Sequence, residues 1–156
     1  MLMKIAFLLV VFLLLLVHPQ NSSSADFLQG VPGVIFSAEE TQAMMARTGE
    51  HPDLRGPFWT PSEQQVMSFE RCLPAFLKNL RDSHIRRELV LYKRQYFGIT
   101  RNGVKKILAN FFCEQYWKFN DDWRDKIVVS RSYIGDCFFK VYYDPSTGEV
   151  FDLLMR

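Results

Sequence analysis

Arg101-Asn102-Gly103-Val104 constrains this chain more than any other four residues. Asn-Gly is the dipeptide that a two-residue hairpin turn favours, because both of its positions need positive φ. Runs rich in β-branched, leucine and aromatic residues flank it, Glu88–Ile99 before and Lys105–Cys113 after. With Asn102 and Gly103 as the turn, the two-residue period of strand side chains sets the pairing. Gly98 then faces Ile107, Tyr96 faces Ala109, Arg94 faces Phe111 and Tyr92 faces Cys113, all on one side of the sheet.

Further strands follow the hairpin. Glu114–Lys126 is a connection, and Ile127–Arg131 reads as a third strand. Gly135 marks a turn. Cys137–Tyr143 is a fourth strand, with Cys137, Phe139, Val141 and Tyr143 on one side and Lys140 on the other. Asp144–Gly148 is a turn by composition, and Glu149–Leu154 is a short fifth strand.

The segment before the hairpin is helical. Thr60 suits an N-cap, Pro61 the first helical position and Glu63 the third. Val66, Phe69, Leu73, Phe76 and Leu80 recur at steps of three and four, and Leu77 widens the stripe. Pro74 removes a backbone donor and bends the helix. The expectation is one bent helix from Pro61 to about Leu80. Residues 26–59 read as an irregular leader broken by Gly30, Pro32 and Gly33. A short helix at 38–46 fits within it, with Ser37 and Glu40 as a capping box.

The predicted class is therefore α+β: one main bent helix packed on a curved antiparallel meander of about four to five strands. The domain would occupy residues 60–156. This order of elements resembles the cystatin-like fold. Cystatins carry a Gln-x-Val-x-Gly hairpin loop and a later Pro-Trp wedge. Here Gln95-Tyr96-Phe97-Gly98 is one residue shorter, lacks the valine and lies in a strand, and no Pro-Trp follows the hairpin. The resemblance thus implies a shape and not protease inhibition.

The N-terminus bears on location. Lys4 precedes an apolar run from Ile5 to Val17, followed by a polar stretch ending in Ser23-Ser24-Ala25. That is the layout of a secretory signal, residues 1–25, with cleavage after Ala25. The 13-residue run is too short to span a bilayer comfortably. The expected location is secreted or periplasmic. An uncleaved run would instead tether the chain to a membrane.

Cleavage would remove one of 19 basic residues and none of 17 acidic ones. The mature chain would be nearly neutral, which argues against nucleic acid as the main partner. Three cysteines, Cys72, Cys113 and Cys137, leave one without an intramolecular mate. If the strands bearing Cys113 and Cys137 face each other, those two form the disulfide. The 14 Phe, 6 Tyr and 3 Trp exceed what one small core easily absorbs, so an exposed aromatic patch is expected.

No catalytic pattern stands out. A nucleophile elbow and a glycine-rich phosphate loop are both missing from the sequence. His84 with Asp82 and Glu88, and His51 with Asp53, lack the spacing of a metal site. Asp121, Asp122 and Asp125 lack the alternation of a calcium loop. No cofactor is implied. The clearest polar feature is basic: Arg81, Arg86, Arg87, Lys93, Arg94, Arg101, Lys105 and Lys106, interleaved with Tyr92, Tyr96 and Phe97. The same charges also fit the solvated face and tip of a hairpin.

The candidate binding residues are Arg94, Tyr96, Arg101, Lys105, Lys106 and Trp117. The function expected is an exported binding module that holds a protein partner or an anionic surface through the sheet face and hairpin 92–106. A small exported enzyme with a pocket between helix and sheet, or a membrane-tethered envelope protein, are the alternatives.

Overall fold

A computed structural model of the chain describes residues 33–49, 51–78, Ile85, 88–113, 121–129 and 137–155. The N-terminal apolar run, Trp117 and His84 lie outside these residues. The elements in chain order are β1 (Gly33–Ile35), α1 (Ala38–Thr48), β2 (Phe58–Trp59), α2 (Glu63–Lys78), β3 (Lys93–Arg101), β4 (Val104–Phe112), β5 (Phe138–Asp144) and β6 (Glu149–Met155).

The hairpin sits at the centre. Asn102 and Gly103 have φ of 51° and 76°, the positive values that the two-residue turn needs. Gly98 pairs with Ile107, Tyr96 with Ala109 and Arg94 with Phe111, the predicted register. β5 pairs antiparallel with β4, and β6 with β5. Cys113 and Cys137 continue the β4–β5 register, with the Cys113 N–H donating to the Cys137 carbonyl. A disulfide joins them across a Cα separation of 5.0 Å.

The rest corrects the expected fold. The sheet is a mixed one of six strands, open at both edges rather than wrapped around a helix. β1 runs parallel to β3, with Gly33 beside Arg94, and β2 runs antiparallel to it, with Trp59 beside Gly98. These two short strands share the β3 edge that a meander would leave bare. Two separate helices replace the single bent one. The cystatin-like shape is therefore not this chain's.

The helix starts explain part of the difference. Ser37 accepts from the Glu40 N–H while the Glu40 carboxylate accepts from the Ser37 N–H, so α1 has a complete capping box. α2 is capped by Ser62, not Thr60: the Ser62 hydroxyl accepts from the Gln65 N–H, and the Gln65 amide oxygen accepts from the Ser62 N–H. The Thr60 hydroxyl instead accepts from the Ala38 N–H at the start of α1. Residues 60–62 therefore cap α2 and add one bond to the start of α1.

Both faces of the sheet are buried. α2 lays Val66, Phe69, Leu73 and Leu77 against Tyr96, Ile107, Ala109, Phe111, Phe139, Val141 and Tyr143. Each such aliphatic or phenyl side chain contributes roughly 1.5–3 kcal/mol on leaving water. The opposite face packs Phe97, Ile99, Leu108 and Tyr142 under Phe36, Met44 and Leu54. A third cluster there joins Phe112 and Phe138 to Trp123 and Val128. The aromatic excess thus fills a second core.

Residues 127–129 do not form the expected third strand. They cross the second face as irregular chain, and side-chain amides meet their backbone. The Gln95 amide donates to the carbonyls of Trp123 (2.7 Å) and Lys126 (2.6 Å), and its oxygen accepts from the Val128 N–H (2.9 Å). The Asn110 amide donates to the Val128 carbonyl (2.9 Å) and to Gln95 (3.0 Å). Buried backbone groups need partners, and here strand side chains provide them in place of a neighbouring strand.

Candidate functional site

Lys140 completes a buried polar row. Gln95, Asn110 and Lys140 stand side by side on β3, β4 and β5, between the two apolar clusters of the second face. The Lys140 ammonium donates to Asp53 (2.6 Å) and lies 3.3 Å from the His51 Nε2. A buried lysine needs such a carboxylate, because its charge has lost water. The contact fastens the 51–56 loop over the middle of the sheet, and the loop also lines a cleft with Thr100, Arg101 and Asn102 at the hairpin tip.

The basic run is divided by this fold. Arg94 and Tyr96 lie inside, on the α2 side. The Arg94 guanidinium donates to the carbonyls of Tyr92 (2.6 Å) and Leu89 (3.0 Å) and rests over the Phe111 ring. Its Nε is 3.2 Å from the Glu70 carboxylate, an ion-pair contact off the line of a hydrogen bond. The Tyr96 hydroxyl donates to the same carboxylate at 2.7 Å. Burial, then the Glu70 charge, raises the Tyr96 pKa well above its usual value, while Arg94 opposes them. These groups brace α2 on the sheet.

Lys106 is half-spent internally. It bonds the Asp144 carboxylate and lies over the Phe151 ring. The bonds from Lys106 and Ser146 hold the Asp144 carboxyl well below the usual carboxylate range, against the opposing effect of burial. Arg81, Arg86 and Arg87 lie outside the described residues, as does Trp117.

Arg101 and Lys105 remain at the surface, on opposite faces of the hairpin end. Lys105 lies over the Trp59 ring, 5.2 Å from its centroid. Arg101 lies over the Tyr142 ring at 4.8 Å and meets Asp152 at 3.7 Å, both partners about half exposed. Val104, between them, is 43% exposed, a large apolar side chain at the turn. The 51–56 loop brings Arg55 to the same end. Pro52, Asp53, Arg55, Thr100, Arg101 and Asn102 line a surface cleft of about 410 Å³ there.

Arg55 has no signature in sequence, since its glycine- and proline-rich surroundings read as linker. Lys140 carries a faint one, a lysine in the middle of an otherwise apolar strand. Among the described residues, no group of three or more His, Cys, Asp or Glu side chains is placed to hold a metal ion. The geometry offers recognition groups: two guanidinium ions, an amide, a hydroxyl and an apolar tip. Comparison with protein-family models, with curated proteins and with solved structures finds no match.

Proposed function

We propose that the chain is an exported binding module that holds an anionic protein partner at the hairpin-tip end of its sheet. One observation carries this reading: the fold gathers Arg55, Arg101 and Lys105 at one end, around the exposed Val104, while Arg94 and Lys106 serve internal contacts. Exposed apolar and guanidinium groups side by side make a recognition surface. Export is supported by the N-terminal signal layout, and a Cys113–Cys137 bond suits an oxidising compartment.

A photo-crosslinking residue at position 104 tests the proposal in the native host. The expected result is a discrete adduct in the extracytoplasmic fraction, lost when Lys105→Glu and Arg101→Glu are added. The same residue at Val90, also exposed but on the 3₁₀ turn before β3, serves as the control. Adducts that are equal at both positions, or indifferent to charge reversal, would sink the reading.

A further inference from the structure

Arg101 is presented in a defined pose. Its guanidinium carbon lies 4.8 Å from the centroid of the Tyr142 ring, a cation–π contact that favours one placement of the side chain. One edge already meets a carboxylate, that of Asp152 at 3.7 Å. Asp152 belongs to an irregularity in β6, where the pairing with β5 shifts register between Lys140 and Tyr142. Its φ is 50°, a left-handed conformation that a non-glycine residue adopts at a cost. The bulge thus holds a carboxylate against Arg101 from within the chain.

Across the cleft stands Arg55, which is exposed and has no acidic partner among the described residues. Thr100 and Asn102 add a hydroxyl and an amide to the lining. Asp53 lines the cleft too, but its carboxylate is held by Lys140 at 2.6 Å. A second negative charge on a ligand would meet both Asp53 and Asp152. Two guanidinium forks with two fixed carboxylates nearby favour a planar single charge over a dianion.

We propose that this cleft is a carboxylate site, taking an acidic side chain of a peptide partner between Arg55 and Arg101, and that Asp152 competes with it from within. The inference rests on the reading of the hairpin-tip end as the binding end. Partner binding then requires Arg101 to exchange Asp152 for the incoming carboxylate. Removing Asp152 tightens binding rather than weakening it, which a merely structural ion pair would not do.

The test is fluorescence anisotropy of a labelled, end-capped hexaglutamate peptide titrated with the full chain. Arg55→Gln is expected to weaken binding by about tenfold, the loss of one charge-assisted fork. Asp152→Gly removes the competitor and suits the positive φ, so it keeps the fold. It is expected to tighten binding by about three- to tenfold. Inorganic phosphate at matched ionic strength is expected to displace the peptide no better than chloride does.

An unchanged affinity in either variant would overturn the proposal. So would displacement by phosphate, which would make the cleft a general oxyanion site. Absence of wild-type binding would overturn the carboxylate site while leaving the crosslinking test at position 104 to judge the binding end separately. Loss on Lys105→Glu without loss on Arg55→Gln would keep the end and reject the cleft.

Discussion

The two faces of the sheet are covered by different means. On one, α2 lays an apolar stripe over the strands, and its Glu70 reaches the buried Arg94 and Tyr96. On the other, a helix with only Thr41 and Met44 buried shares the work with two irregular segments. Gln95, Asn110 and Lys140 fasten those segments by hydrogen bonds and an ion pair. The first face is held mainly by non-directional burial, with the Glu70 contacts to Arg94 and Tyr96 as its directional brace. The second depends on particular donors and acceptors, so it specifies where each loop lies. That precision places Arg55 beside Arg101 at the candidate binding end.

The largest effect is expected on the helix face. Phe69 is fully buried and packs its ring against Tyr143, Tyr96 and Phe111 at centroid distances of 5.4 to 6.3 Å. Phe69→Ala should cost about 4 kcal/mol of unfolding free energy in denaturant melts and lower stability globally. A loss under about 1 kcal/mol would mean that α2 is not the principal cover.

Gln95→Leu should cost about 3 kcal/mol, because it leaves the buried Trp123 carbonyl, the part-buried Lys126 carbonyl and the buried Val128 N–H without this partner. Its distinguishing mark is locality. The 121–129 segment should become susceptible to protease while the α2 face keeps its near-ultraviolet circular dichroism. Equal loss on both faces would erase the distinction between them.

Gly98→Ala probes the edge that both covers share. A Cβ at this position would stand 2.0 Å from the Trp59 carbonyl oxygen, so β2 would have to move. The expected cost is about 2 kcal/mol, with a change in Trp59 fluorescence. An unchanged spectrum would show that β2 does not approach β3 as described.

The smallest effect concerns Asp144. Its folded pKa is depressed, so its contribution is complete above the unfolded value and disappears as pH falls toward the folded one. Asp144→Asn should therefore cost about 1–2 kcal/mol at neutral pH. The gap between variant and wild type should close as pH drops below about 4 in a series of denaturant melts. A gap that persists into strong acid would assign the effect to shape rather than charge.

The sequence made the helix face legible and left the second face dark, for physical reasons. The Asn102-Gly103 turn and the period of two determine the hairpin register locally, and the Val66, Phe69, Leu73 stripe marks the face of α2. The Cys113–Cys137 pairing is conditional on their strands facing each other, and the β4–β5 ladder meets that condition. The second cover has no period to read. β1 meets β3 across some sixty residues, with Gly33 beside Arg94, and no local pattern encodes that contact. Ile127-Val128-Val129 has strand composition, yet the Val128 N–H and carbonyl are taken by the side chains of Gln95 and Asn110. A glutamine amid strand residues gives little warning that it will replace a neighbouring strand. At the candidate site, Arg101 and Lys105 are visible at the turn. Arg94 and Tyr96 alternate into the core, and Arg55 arrives only through tertiary contact.

Native-state hydrogen exchange of the Val128 amide tests the central claim most directly. In the wild type it should be protected well beyond what an irregular segment usually shows, because it donates to the buried Gln95 side chain. In Gln95→Leu that protection should vanish while the amides of β3 and β4 at the hairpin centre stay protected. A Val128 amide that exchanges freely in the wild type, or stays protected in the variant, would contradict a second face fastened by side-chain amides.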